Sequence, residues 1–252
     1  MRGYRPNHPK PMAIIQTYPT PDDLARAATE LFVTLAQESI RDHGHFSVAL
    51  AGGSTPRAMY QNLATIEFAQ QVNWERVHVF WGDERCVPPD SEDSNYRMAH
   101  DAFLKVVAIP SENIHRIHGE AKPHQAAQDY QTAMRKFFAP KPTRFDLIFL
   151  GMGDDGHTAS IFPGTPAVHE DEKLVMAQYV EKLGSWRITF TPALINAAAN
   201  VAFLVSGEKK AYRLRQVIVG RYQPNELPAQ IIRPAVGKLR WLLDEAAGIH
   251  LS

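Results

Sequence analysis

The chain has 252 residues, enough to bury a large core as one α/β domain, and 44% of them are hydrophobic, which excludes a disordered polypeptide. Lys plus Arg total 27 and so do Asp plus Glu, so no overall basic field exists; this argues against nucleic acid or a membrane surface as the main partner and makes any anion site a local concentration of donors. The single Cys86 excludes an intramolecular disulfide and fits a reducing compartment such as the cytoplasm, and no apolar run reaches the roughly 18 residues of a membrane span.

Residues 1–12 are Pro-rich and basic, without an apolar core or cleavage signature, and read as a frayed tail ahead of one domain over 13–252. Residues 13–18 read as a strand. Pro21 and Asp22 then open a helix with apolar positions at Leu24, Ala28, Leu31, Leu35 and Ala36, and Gly44 ends it. Phe46 to Ala51 is a buried strand, followed by a helix from Pro56 to about Leu63. Val77 to Trp81 is the next strand. A polar loop leads to a helix over about Asn95 to Val107, and Ile114–Ile117 reads as a short strand. A helix over 124–138 carries Ala127, Tyr130, Met134 and Phe137 on one face. Phe145 to Leu150 has the strongest strand pattern, and further strands fall at 174–180, 186–191 and Val201 to Val205. A helix starts near Glu208, and Leu239 to Leu243 closes the fold. Apolar runs alternating with helical patterns predict βαβ units and a mostly parallel sheet.

Ligands of such sheets bind outside the carboxyl ends of the strands, so the residues just after each strand carry the information. In AGGSTPRAMY (51–60), Gly52 and Gly53 let backbone approach a ligand, Ser54 or Thr55 is placed to cap the following helix, and its free N–H groups form an anion site with Arg57 nearby. The same residues also describe an ordinary strand-to-helix turn, and spacing does not separate the two. WGDERCVPPDSEDSNY (81–96) puts Asp83, Glu84 and Arg85 at a strand end. Arg85 is suited to clamping a phosphate or carboxylate, and Asp83 to binding sugar hydroxyls or fixing Arg85. A solvated charged loop is the competing reading, and Cys86 reads as a packing residue.

FDLIFLGMGDDGHTASIFPG (145–164) places Asp155 and His157 at the start of a short predicted helix at the mouth of a central strand. The positive end of a helix dipole favours neutral imidazole, the form a general base needs, and Asp155 is placed to orient the ring. The spacing Gly151-x-Gly153-x-x-Gly156 matches a dinucleotide fingerprint. Asp154 and Asp155 would repel a pyrophosphate, however, and Pro163 and Pro166 interrupt the crossover helix that the motif requires. Arg187 lies at a strand start, and Lys209 and Lys210 begin a helix, where they oppose its dipole unless an anion binds. The pairs His43 with His45 and His115 with His118 lack a Cys cluster or a His-Glu-x-x-His motif, so no metal is expected.

In this order AGGSTP, WGDER with its downstream SN, GMGDDGHTASIFP, RITFT and SGEKKA, with LPAQIIRP and WLLDEAA towards the end, resemble the 6-phosphogluconolactonases from about residue 20 onward. The resemblance implies a three-layer α/β/α fold with a mostly parallel, Rossmann-like central sheet, related to the sugar-phosphate isomerases and deaminases. It implies hydrolysis of 6-phosphoglucono-δ-lactone in the oxidative pentose phosphate pathway by a monomer or homodimer without a cofactor. It makes His157 the catalytic base and puts Gly53, Ser54, Arg85, Arg187 and Lys210 at or near the phosphate, with Asp83, Asn95 and Asp155 at other polar positions of the pocket. Backbone N–H groups near Gly153 are the expected oxyanion donors. Two alternatives stand beside it. An amino-sugar phosphate deaminase or isomerase would carry a carboxylate five residues beyond the histidine, where this chain has Phe162. A non-catalytic sugar-phosphate sensor would leave the Asp155–His157 pair without a role.

Overall fold

The computed structural model describes residues 13–251, so the predicted tail at 1–12 lies outside the described residues. In chain order the elements are β1 (Ile14–Tyr18), α1 (Pro21–His43), β2 (Phe46–Leu50), α2 (Ser54–Leu63), α3 (Ile66–Ala69), β3 (Val77–Trp81), β4 (Asp83–Arg85), α4 (Asn95–Ala99), α5 (Pro123–Phe138), β5 (Leu147–Leu150), β6 (Val175–Val180), β7 (Ser185–Phe190), α6 (Pro192–Ala197), β8 (Asn200–Val205), α7 (Ala211–Val219), β9 (Lys238–Asp244) and α8 (Glu245–Gly248).

Helix α1 has the ends its sequence predicts. Thr20 accepts a hydrogen bond from the Asp23 N–H at 3.1 Å, Pro21 occupies the first turn, and Gly44 at φ 88° stops the helix by donating to the Ile40 carbonyl at 2.9 Å. Its apolar stripe, including Leu24, Ala28, Phe32 and Ala36, is fully buried. Every residue of β2 and β5 is buried, and since alternate side chains point to opposite faces, both faces of the sheet are covered.

Six strands form a wholly parallel sheet in the order β1-β9-β8-β5-β2-β3. From β2 the chain steps outward to β3, then returns to the other side of β2 with β5, β8 and β9. The switch point therefore lies between β2 and β5, where a crevice opens at the carboxyl ends. Three shorter strands form a separate antiparallel sheet, β4-β7-β6, beyond the end of β3.

Several local expectations are corrected. The polar stretch after Trp81 contains the strand β4, whose partner β7 is a hundred residues on; three residues are too few to show a period of two. Ile114 makes only an isolated bridge to Val79. The helix from Asn95 leaves α geometry at His100 and continues as a π turn to Leu104. No helix begins at Asp155 or His157. Residues 151–164 run through turns, with one bridge between Thr158 and Ile161, because Gly156 and Gly164 take positive φ and Pro163 blocks a ladder. The dipole argument for a neutral His157 therefore does not apply. Among the described residues no helix is long and apolar enough to cross a membrane.

Candidate active site

The loops after β2, β3, β5 and β8 meet at the switch point. They enclose two contiguous clefts of about 410 and 230 Å³, which share Asp83, Arg85, Gly153, His157, Ala159 and Lys210. Asp155, Ser160, Phe162, Lys182 and Arg187 line the larger part, and Gly52, Gly53 and Asn95 the smaller.

His157 is held from three sides. Its Nδ1 lies 2.6 Å from Asp155 Oδ1. Burial raises the pKa of Asp155, but hydrogen bonds from His157 and from Lys182 at 2.9 Å outweigh it and hold the carboxyl well below the usual carboxylate range. A carboxylate only accepts, so Nδ1 carries a proton and Nε2 is the nitrogen left to act as a base. Phe162 stacks on the imidazole with centroids 4.1 Å apart. Beneath the ring lies Gly153, where a Cβ would come within 2.0 Å of His157 Nδ1, so only glycine fits. The Gly153 N–H donates to the His157 carbonyl at 2.9 Å and is therefore not free to act as an oxyanion donor.

Ser160 ties this loop to the antiparallel sheet. Its hydroxyl donates to Asp83 on β4 at 2.7 Å, its N–H donates to Thr189 on β7 at 3.1 Å, and its carbonyl accepts from Gln178 on β6. The strands that carry Arg85 and Arg187 are thus fixed relative to His157. Between them Ala159 lines the cleft at φ 46°, a left-handed conformation that costs about 1–2 kcal/mol for a residue with a Cβ.

Arg85 and Arg187 are direct cross-strand partners of β4 and β7. Like charges placed so repel, and among the described residues neither makes an ion pair. Arg85 donates to the Asp93 carbonyl, and Arg187 to Ser185 Oγ at 2.8 Å and the Trp186 carbonyl at 3.0 Å. Burial first, then the charge of Arg85, lowers the pKa of Arg187. Two guanidiniums in no ion pair, at the wall of a cleft, suit a doubly charged oxyanion.

Asp83 does not fix Arg85, as one expectation had it. It accepts from Ser160 and, more weakly, from Asn95 Nδ2 at 3.4 Å. Asn95 is buried over Gly52, where a Cβ would approach its Oδ1 to 2.1 Å; the close approach that Gly52 permits is to Asn95. Neither Ser54 nor Thr55 caps α2 through its side chain. The helix begins at Ser54 after Gly53 at φ 109°, so the first-turn amides keep no intrahelical partner. Ser54, Thr55 and Arg57 do not line the clefts, whereas Gly52 and Gly53 do. Lys210 is present but not free, since it pairs with Asp154 at 2.5 Å, which meets the dipole conflict without a ligand. Burial pushes the Cys86 thiol up to about 11 against the pull of Arg187, so it is not a thiolate nucleophile.

Several supporting residues escaped sequence reasoning. Buried Glu84 accepts from the N–H groups of Arg85, Asn95 and Tyr96, each at 2.8 Å, and shapes the loop between β4 and α4. Asp244 accepts from Ser206 Oγ at 2.6 Å and from the Gly207 and Ala247 N–H groups, anchoring the turn that leads to Lys210. Ala229 donates to the Gly156 carbonyl at 2.9 Å, and Leu227 packs on Gly156 at φ 83°. The LPAQ and WLLDEAA blocks thereby buttress the two loops that carry His157 and Lys210. Lys182, on the turn after β6, had no sequence signal.

A family profile described as glucosamine-6-phosphate isomerases/6-phosphogluconolactonase matches residues 19–241. A protein of Nostoc sp. named 6-phosphogluconolactonase is 41% identical over 94% of this chain and 98% of its own length. One of the same name from Synechocystis sp. is 43% identical over 90% and 94%. The solved structure of 6-phosphogluconolactonase from Trypanosoma brucei superposes with a TM-score of 0.83 at 30% identity, covering 95% of this chain and 99% of that one. On the extent of these matches, the chain belongs to the glucosamine-6-phosphate isomerase/6-phosphogluconolactonase family.

Proposed function

We infer that the chain hydrolyses 6-phospho-D-glucono-1,5-lactone to 6-phospho-D-gluconate, the lactone-opening step of the oxidative pentose phosphate pathway, with His157 as general base. The names borne by relatives more than 40% identical support the reaction. One observation supports the mechanism above others: the acceptor nitrogen of an Asp-oriented imidazole and an unpaired Arg85–Arg187 couple line the same cleft.

The phosphate docks between Arg85 and Arg187, and Lys210 exchanges Asp154 for it. Gly52 and Gly53, with the first amides of α2 behind them, bound the cleft beside Asn95 and Asp83. This anchoring holds the lactone carbonyl near His157, a placement worth several kcal/mol. Nε2 of His157 takes a proton from water as the water oxygen bonds to C1. The tetrahedral oxyanion collapses, the bond from C1 to the ring oxygen breaks, and the imidazolium returns its proton to that oxygen. Asp155 keeps the ring in the required tautomer and stabilises the transient imidazolium. No covalent intermediate or cofactor enters. The deaminase reading is disfavoured by Phe162, whose ring occupies the position where that branch needs a carboxylate.

The test is hydrolysis of freshly generated lactone, coupled to 6-phosphogluconate dehydrogenase, with the uncatalysed rate subtracted. Acceleration well above background is expected. Absence of acceleration together with ammonia release from glucosamine 6-phosphate would replace this reading with the deaminase.

A further inference from the structure

At the opposite rim of the sheet three side chains from distant parts of the chain converge. His43 ends α1, His45 precedes β2 and Asp146 precedes β5. One nitrogen of each imidazole and one carboxylate oxygen lie within 4.8 Å of one another. His43 Nε2 is 3.1 Å from Asp146 Oδ1, and the His43 and His45 rings stand edge to face with centroids 4.7 Å apart. The other carboxylate oxygen is fixed by the Ser47 N–H at 2.8 Å and the Ser47 hydroxyl at 2.7 Å. The group lines a cavity of about 790 Å³ that is also bounded by Glu38, Asp42, Lys141 and Arg144.

We propose that His43, His45 and Asp146 bind a borderline divalent transition-metal ion of the Zn²⁺ class, clamping the end of α1 to the starts of β2 and β5. The donor chemistry fits, since two imidazoles and one carboxylate are a common ligand set for such ions. So does the spacing. Ligand bonds of about 2.0–2.1 Å in a tetrahedron set neighbouring donors roughly 3.3 Å apart. The His43–Asp146 contact already stands near that separation, and a His45 nitrogen lies within 4.8 Å of both donors. Ser47 supplies the outer hydrogen bonds that orient a ligating carboxylate. Glu38 and Asp42 offset Lys141 and Arg144 in the lining of the cavity. His43 is partly exposed, which leaves the ion a way in, and a water completes the coordination.

Titration of Zn²⁺ into the metal-free full chain at neutral pH tests this, followed by calorimetry and thermal melting. One saturable equivalent and a raised melting temperature are expected. Both are lost in His43→Ala, which removes a partly exposed ring, and in His45→Gln, while lactonase turnover is unchanged in both. His157→Asn, at the other rim, keeps the equivalent. The Co²⁺-substituted wild-type chain reports the ligands spectroscopically without any variant and is expected to show nitrogen and oxygen donors only. No saturable equivalent, an equivalent that survives both His43→Ala and His45→Gln, or one lost in His157→Asn would overturn the proposal.

Discussion

The two rims of the parallel sheet satisfy their polar groups in opposite ways. At the amino rim Asp146 accepts from the Ser47 N–H, the Ser47 hydroxyl and His43, so the carboxylate that joins β2 to β5 is held by donors of the chain itself. At the carboxyl rim Arg85 faces Arg187 across the β4–β7 pair, neither of them in an ion pair among the described residues, and Ala159 lines the same cleft at positive φ. A like-charge cross-strand pair costs up to about 1 kcal/mol and a left-handed Ala about as much or slightly more. A fold tolerates a few kcal/mol of this kind only against stability supplied elsewhere. The arginine couple outside any ion pair is therefore the feature of this rim that suits an anion.

The comparison breaks most directly at His157. His157→Asn is expected to lower turnover by about 10²–10⁴-fold with little change in the Michaelis constant, measured in the coupled lactone assay. Asp155→Asn follows closely, since the amide can donate to Nδ1 and turn the proton toward the substrate side, where it blocks base catalysis; a loss on the order of 10²–10⁴-fold is expected. The same variant carries a stability signature. Because the folded Asp155 carboxyl is held below its unfolded value of about 3.9, its contribution is full above that pH and fades as pH falls through the folded value. Thermal melts should therefore show wild type ahead of Asp155→Asn at neutral pH, with the gap closing in strong acid.

Arg85→Ala should act on binding instead. Loss of a charged hydrogen-bond donor of about 2 kcal/mol corresponds to a rise of roughly 30-fold in the Michaelis constant for the phosphorylated lactone, with an unphosphorylated lactone unaffected. The unliganded variant should melt no lower than wild type, because its removal relieves Arg187. A large fall in melting temperature would mean that the arginine pair is structural. Asp154→Asn gives the smallest effect. It frees Lys210 from an exposed partner, and since such pairs contribute about 0–1 kcal/mol, the Michaelis constant should fall by no more than about fivefold.

Local pattern made most of the scaffold readable. Pro21 and Gly44 bracket α1, the apolar run before Gly151 predicts β5, and residues just after β2, β3 and β5 are among those that line the cleft. What escaped has partners far along the chain. Ser160 meets Asp83 across 77 residues, Ser206 meets Asp244 across 38, and His43 meets Asp146 across 103, and no periodicity reports such pairs. The stretch at 151–164 was half legible. Its location at a strand mouth followed from the fold class, but a pattern rich in small polar residues resembled a helix start where glycines with positive φ and Pro163 impose turns. No helix dipole acts on His157; Asp155 orients the ring and fixes its tautomer instead.

The most direct measurement is a crystal structure of the chain with 6-phosphogluconate bound. The account predicts the phosphate within hydrogen-bonding distance of both Arg85 and Arg187, the Lys210–Asp154 pair opened, and the C1 carboxylate against Nε2 of His157. A product lying the other way round, or a phosphate held apart from the two guanidiniums, would contradict it.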